Sequence, residues 1–227
     1  MNSSILSRLI KLDLFKDFDE QKLGEILQRY RTPVIVHQAD HLVMLRGDEI
    51  ESLLVLIGGQ LRAQIQGLNG KNLRIEVLRA PQPVASGILF SDDNRLPVSL
   101  YAETDIEILS IPKKAVLDLC SASQSFMEGY FVDMGNKITI LAEKIRLYQF
   151  NTIRQKIAGY ILGLSGERKL RVVKFVYGRE VLAELMSVTR PALSRELSAL
   201  VHEGIISVKG RSVEIVDRQA LVEIITG

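Results

Sequence analysis

The spacing of apolar residues changes character along the chain, and each change predicts a new kind of element. Over residues 4–30 the period is helical. Two short helices are predicted, with Leu14-Phe15 between them and Leu23, Ile26, Leu27 and Tyr30 on one face. Pro33 ends that pattern, and short strands follow. Leu53-Leu54-Val55-Leu56-Ile57 has the continuous apolar run of a strand buried on both faces, with Gly58-Gly59 as its turn. Leu61, Ala63 and Ile65 then alternate with Arg62, Gln64 and Gln66, which predicts one apolar face. Asn69-Gly70 supplies the left-handed residues of a hairpin, and Leu73, Ile75 and Val77 alternate with Asn72, Arg74 and Glu76 on the return. Further strands are predicted at Val98–Glu103 and Asp105–Ile111. Many short strands at this spacing make a sandwich, roll or barrel.

From Ala115 the period is helical again. Met127, Phe131, Met134, Ile138, Leu141, Ile145 and Tyr148 follow one another at spacings of 4, 3, 4, 3, 4 and 3, an apolar heptad seam. A core helix packed on its own domain is the alternative, but the strict seam is narrower than a core helix's stripe and favours pairing with a second copy. At about 1.5 Å per residue such a helix is long enough to join two domains. After Phe150, Asn151 or Thr152 caps a helix carrying Ile153, Ile157, Tyr160, Ile161 and Leu164, closed by Gly163, Ser165 and Gly166. A charged segment of loop and strand, Glu167–Tyr177, leads to the last unit.

That unit has a recognisable order. Arg179–Met186 is a short helix with Val181, Leu182 and Leu185 inward, and Ser187-Val188-Thr189 is a tight connection. Thr189 is an N-cap and Pro191 fits the first turn of the next helix, where its missing N–H is no loss. This second helix buries Leu193, Leu197, Leu200 and Val201 and stops before Gly204. Its other face presents Arg190, Ser194, Arg195, Ser198 and His202. Two strands around Lys209-Gly210-Arg211 form a hairpin with a basic tip. Helix, turn, helix and wing in this order predict a winged helix-turn-helix whose second helix enters the major groove of DNA. Thr189, Arg190, Ser194, Arg195, Ser198, Lys209 and Arg211 are the contact candidates. Arg190 and Arg195 suit base edges, because a guanidinium bonds guanine O6 and N7 together, and Lys209 and Arg211 suit phosphates. A small helical domain with solvated arginines is the competing view.

Charge adds a little to this picture. Net charge is +2 over 227 residues, but residues 151–227 hold 12 Lys and Arg against 8 Asp and Glu, leaving 17 against 19 in residues 1–150. A basic tail domain on an acidic body is compatible with nucleic acid. Cys120 is the single cysteine, so an internal disulfide and an iron–sulfur cluster held by four thiolates of this chain are both excluded. A reducing cytoplasm is the expected location. No apolar run approaches a membrane span, and the N-terminal segment is broken by charge too often for a secretory signal.

The stretch from Gly178 to Leu197, Gly-Arg-Glu-Val-Leu-Ala-Glu-Leu-Met-Ser-Val-Thr-Arg-Pro-Ala-Leu-Ser-Arg-Glu-Leu, resembles the helix-turn-helix of Crp/Fnr-type regulators. The resemblance covers almost the whole chain, through Leu14-Phe15, the Gly59 and Gly70 turns, the long helix and the wing. It implies that Arg190 and Arg195 fall on base- or phosphate-contacting positions and that Ser194 faces DNA. One departure stands out: Pro191 replaces the base-reading glutamate of many members, so their familiar half-site does not transfer. Cyclic-nucleotide-binding relatives hold ribose with a glutamate and the cyclic phosphate with an arginine. In Val84–Val98, Ser86 stands at the glutamate position and Leu96 or Pro97 at the arginine position, with Arg95 one step out of register. Leu141 and Ala142 occupy the stretch where hydroxyls meet the base. Three mismatches argue against cAMP.

Haem, which some members bind, has only His37, His41 and His202 to draw on, and none lies in a matching motif. Cys120 has no basic partner in sequence and reads as a structural thiol. A small organic or anionic effector remains open, with Arg62, Arg74, Ser86, Asn94 and Arg95 as candidate polar liners. There is no Walker loop, zinc spacing or nucleophile elbow, and Asp92-Asp93 is turn chemistry, so no enzyme is indicated. The expectation is an α+β protein: an N-terminal double-stranded β-helix or jelly-roll sensor domain (1–120), a dimerisation helix (121–150) and a winged helix-turn-helix (151–227). It would be a homodimer on palindromic double-stranded DNA, meeting RNA polymerase if it activates, with no membrane partner and a small effector other than cAMP. The competing expectations are a ligand-binding interaction module that grips protein, a haem-based gas sensor, and a constitutive regulator whose roll is structural only.

Overall fold

A computed structural model describes residues 3–66 and 72–227. The Asn69-Gly70 turn lies outside the described residues, as does the side chain of Arg74. The architecture is α+β, and the chain divides into two units, Met1–Asn136 and Lys137–Gly227, each with its own hydrophobic core.

In the first unit α1 (Ser3–Leu9) and α2 (Glu20–Gln28) precede the strands β1 (Val34–His37), β2 (Leu42–Met44), β3 (Ser52–Gly58), β4 (Gln60–Gln66), β5 (Asn72–Arg79), β6 (Gln82–Val84), β7 (Ser99–Ala102) and β8 (Ile106–Pro112). Asp19 caps α2 by accepting from Lys22 N at 2.6 Å, and Leu23, Ile26 and Leu27 are its buried face, as its period requires. The strands form two antiparallel sheets, ordered β1-β8-β3-β6 and β2-β7-β4-β5. Leu53, Val55, Leu109 and Ile111 from the first sheet and Leu61, Ala63, Leu100 and Ala102 from the second are buried in one core. Gly59 makes the β3–β4 turn at φ +79°, where any Cβ would collide with the Asp105 carbonyl. The strict alternation expected for β4 fails beyond Ala63. The β4–β5 register shifts there, and Gln64 is buried while Ile65 is only half-buried.

α3 (Lys113–Ala122) and α4 (Gln124–Tyr148) follow. The helical period suggests one unbroken run, but the backbone breaks at Ser123, whose Oγ accepts from Phe126 N at 3.2 Å and starts α4 afresh. α4 sends two different stripes in two directions. Phe126 and Tyr130 are buried in the roll core, Phe126 with its ring 5.2 Å from Phe15 and 6.0 Å from Phe18. Met134 packs partly against the same core. Met127 is half-buried, and the other five seam residues are open: Phe131, Ile138, Leu141, Ile145 and Tyr148 are 59, 67, 58, 67 and 78% exposed.

The second unit holds the last turns of α4, then α5 (Ile153–Ser165), β9 (Val172–Lys174), α6 (Arg179–Leu185), α7 (Arg190–His202), β10 (Ile206–Lys209), β11 (Ser212–Ile215) and α8 (Arg218–Thr226). Thr152, rather than Asn151, caps α5 in a reciprocal box with Gln155. Gly159 and Gly163 leave room on α5 for Phe150 and Arg146, and a Cβ at either would run into one of those side chains. Leu147 is buried in the same core, so the end of α4 is packed onto α5 rather than free. β9 pairs with β11 to widen the wing into a three-stranded sheet, β10-β11-β9. α8 was not anticipated by the apolar spacing. Asp217 caps it through Ala220 N at 3.0 Å, and Leu221 is buried. Among the described residues no helix is long and apolar enough to cross a membrane.

Candidate nucleic-acid interface

The turn between α6 and α7 is held from several sides. Ser187 takes a left-handed backbone at φ +56°, Val188 N donates to Ala183 O at 2.9 Å, and Lys156 Nζ donates to Met186 O at 2.9 Å. Thr189 caps α7 through Ala192 N at 3.3 Å, with Pro191 in the first turn. Leu193, Leu197 and Leu200 are the buried stripe. Thr189, Arg190, Ser194, Arg195, Ser198 and His202 are all exposed. At about 100° per residue, Ser194, Arg195, Ser198 and His202 fall on the face opposite the leucines.

Two residues depart from their expected burial. Val181 and Val201 are each 42% exposed instead of inward. α6 is a single short stripe already filled by Leu182, Ala183 and Leu185, and Val201 lies a full 100° step beyond Leu200. The flank of α7 is fixed by a contact that sequence spacing does not reveal. Arg154 of α5 donates from Nη1 to Glu196 at 3.2 Å and to Glu203 at 2.9 Å, and its Nη2 also meets Glu203. The Arg154 hydrogen bond holds the Glu203 carboxyl below the usual carboxylate range.

Lys209 and Arg211 are exposed at the tip of the β10–β11 hairpin, where Lys209 pairs with Ser212. Arg211 also donates from Nη1 to Val176 O at 3.4 Å, which ties the wing back to the β9–α6 segment. Between α7, the wing and the start of α6 lies a cleft of about 470 Å³, walled by Ser194, Ser198 and His202 and by Arg179, Val201 and Val208. The last three were not among the sequence candidates. Their signal is purely tertiary.

The effector candidates are not brought together. Ser86 is fully buried and its hydroxyl donates to Asp133 of α4, while Tyr130 Oη donates to the Ser86 carbonyl at 2.7 Å. Ser86 is therefore a staple between the β6–β7 connection and α4, not an open liner. Arg62 pairs across the ladder with Tyr101, on the face opposite Leu61 and Ala102, and its Nη1 donates to Glu103 at 2.9 Å. It stands outside the core rather than facing into it. Asn94 donates to Ile50 O at 3.1 Å, and Arg95, with 63% of its side chain exposed, lies 3.8 Å from Asp93. His37 is half-buried at the end of β1, and His41 and His202 are exposed. Cys120 is half-buried, and burial pushes its thiol upward. Among the described residues no group of three or more His, Cys, Asp or Glu side chains is placed to hold a metal ion.

Comparison with known proteins places both units. A profile described as the Crp-like helix-turn-helix domain matches residues 155–224, and one described as the cyclic nucleotide-binding domain matches residues 34–123. Curated proteins give no match. Among solved structures, a transcriptional regulator from Thermotoga maritima is 32% identical over 56% of this chain and 95% of its own, with a TM-score of 0.50. The catabolite activator protein of Thermus thermophilus is 20% identical over 95% of this chain and 99% of its own, with a TM-score of 0.52. A regulator assigned to the Crp/Fnr family from Eubacterium rectale is 17% identical over the same shares, 95% and 99%, with a TM-score of 0.50. An exposed, arginine-bearing recognition helix on a winged scaffold, preceded in the chain by a cyclic-nucleotide-binding-type roll, makes this chain a member of the Crp/Fnr family: a DNA-binding transcription regulator with an effector-binding domain, not an enzyme.

Proposed function

We propose that the protein acts as a cytoplasmic homodimer that reads a palindromic DNA site under the control of a small effector other than cAMP. The observation that carries the dimer is the open seam of α4. Phe131, Ile138, Leu141, Ile145 and Tyr148 stand at heptad spacing and are more than half exposed in the single chain. A row of large apolar side chains on one helix is a surface that a second copy covers. A two-fold pair then presents two α7 helices about 34 Å apart, one helical turn of DNA. Arg195 and Arg190 read base edges, Thr189, Ser194 and Ser198 line the approach, and Lys209 and Arg211 hold phosphates beside them.

Against cAMP stands the Ser86–Asp133 contact. Where relatives of the nucleotide-binding kind place a glutamate for ribose, this chain buries a serine whose hydroxyl already donates to Asp133, so no carboxylate at that position is left to accept from a ribose hydroxyl. Because the same connection touches α4 through Tyr130, an effector that displaces it acts on the paired helix and changes the population of the DNA-competent spacing. Gel shifts on genomic fragments with the purified protein, with and without cAMP and with and without a small-molecule extract of cells, test this. Binding that responds to extract and not to cAMP is expected. Binding that requires cAMP would overturn the effector assignment.

A further inference from the structure

We infer that Lys156 is a positioning residue for base reading: from α5 it holds the α6–α7 turn, and with it the angle at which α7 meets DNA. This rests on α7 as the base-reading helix and adds to it a residue outside the helix-turn-helix. The turn closes α6 in a Schellman motif. Val188 N donates to Ala183 O at 2.9 Å and Ser187 N to Glu184 O at 3.0 Å, around the cap residue Met186. Such a closure needs a left-handed residue just past the cap, and glycine is the usual choice because it has no Cβ to crowd the carbonyl. Here the position holds Ser187, at φ +56°. The turn from which α7 starts is therefore built on a residue that resists its own backbone conformation.

The two closing bonds take up the Glu184 and Ala183 carbonyls. The Met186 carbonyl, past the end of the helix, is met instead by the half-buried Lys156, whose Nζ donates to it at 2.9 Å. An ammonium donor makes that bond charge-assisted, and a cation beside the last carbonyls of a helix also offsets their partial negative charge. Met186 is 1% exposed and belongs to the core of the second unit, so the bond ties α5 to a fixed point of the turn. Arg154, also on α5, holds the flank of α7 through Glu196 and Glu203. One contact fixes the side of the recognition helix and the other fixes its start. Base-edge bonds from Arg190 and Arg195 tolerate only about 10–20° of misorientation, whereas phosphate contacts made by flexible side chains tolerate more. If instead Lys156 only braces α5 against α6, its removal lowers the melting temperature and leaves the discrimination of the folded protein untouched.

The test is fluorescence anisotropy of the full-length protein on two labelled duplexes of equal length, one selected by the wild type from a random pool and one scrambled. Affinities are measured across a series of salt concentrations, well below the melting temperature of each variant. Lys156→Met is expected to cut the ratio of the two affinities about tenfold, while the salt slope on the scrambled duplex stays at the wild-type value. Lys156→Arg, which reaches the same carbonyl, should keep the ratio. Ser187→Gly relieves the turn, so combining it with Lys156→Met should recover most of the lost ratio, whereas Ser187→Gly alone should change it little. Should Lys156→Met fail to melt cooperatively, Lys156→Gln is measured in its place. An unchanged ratio, a slope lowered by about one per subunit, or a loss that Ser187→Gly does not relieve overturns this inference alone. A wild type that binds both duplexes equally overturns the base-reading proposal and this inference with it.

Discussion

Arg195 stands exposed in the middle of the open face of α7, and Arg154 works behind the same helix. The two predict different failures. Arg195→Ala should lose about 1–3 kcal/mol of specific binding and relax preference at one base position, read by competition with single-base variants of a selected site. Arg154→Ala touches no DNA. It should blunt discrimination at every base position together, while the salt slope stays near the wild-type value. The Arg154–Glu203 pair also has a pH signature. Because the folded Glu203 pKa is depressed, the pair's stabilisation is fully present above about pH 4.3, the ordinary glutamate value, and is lost as pH falls through the lower folded value. At the alkaline end the buried phenols of Tyr130 and Tyr160 both contribute, each pushed up by burial. Tyr160 is raised to about 12, so the unfolded chain loses that proton first and stability falls as pH rises above about 10. Melts of Tyr160→Phe should show a smaller alkaline loss than wild type, with the share of Tyr130 remaining. The Arg154–Glu203 pair escapes a reading of spacing because it joins residues far apart in sequence. The bulge that buries Gln64 belongs to the pairing of two strands and is likewise invisible in one of them.

Among the elements, α4 is the one whose two roles were half legible. Its heptad seam is plain in the sequence, and the structure leaves five of those seven side chains exposed while Phe126 and Tyr130, off the seam, bind the roll. What spacing alone did not show is the break at Ser123, which is set by one hydroxyl capping Phe126 N. The α6–α7 pair was legible because Thr189, Pro191 and Gly204 punctuate it so clearly. α8 was not, although Asp217 followed by an apolar run is a capping signal. If the seam is the dimer contact, each side chain of leucine or isoleucine size buried there contributes about 1.5–3 kcal/mol. Leu141→Ala should then raise the dimer dissociation constant by about tenfold or more in sedimentation equilibrium, leaving the monomer folded by circular dichroism. Gly159→Leu should instead unfold the second unit, because its side chain and the Phe150 ring claim the same space.

In the proposed function two chains act together, since one α7 covers a few base pairs and two, held at a fixed separation, double the recognised sequence. The family assignment gives the DNA-binding element and the effector-binding domain; pairing along the open α4 seam is the proposed step that makes a two-fold reader. The most direct test is selection of binding sites from random duplexes by the wild-type protein, followed by hydroxyl-radical footprinting of the winner. Two inverted half-sites with centres about 10 base pairs apart, both lost together in Leu141→Ala at dilute protein, are the predicted result. A single asymmetric half-site, bound equally by Leu141→Ala, would contradict the account.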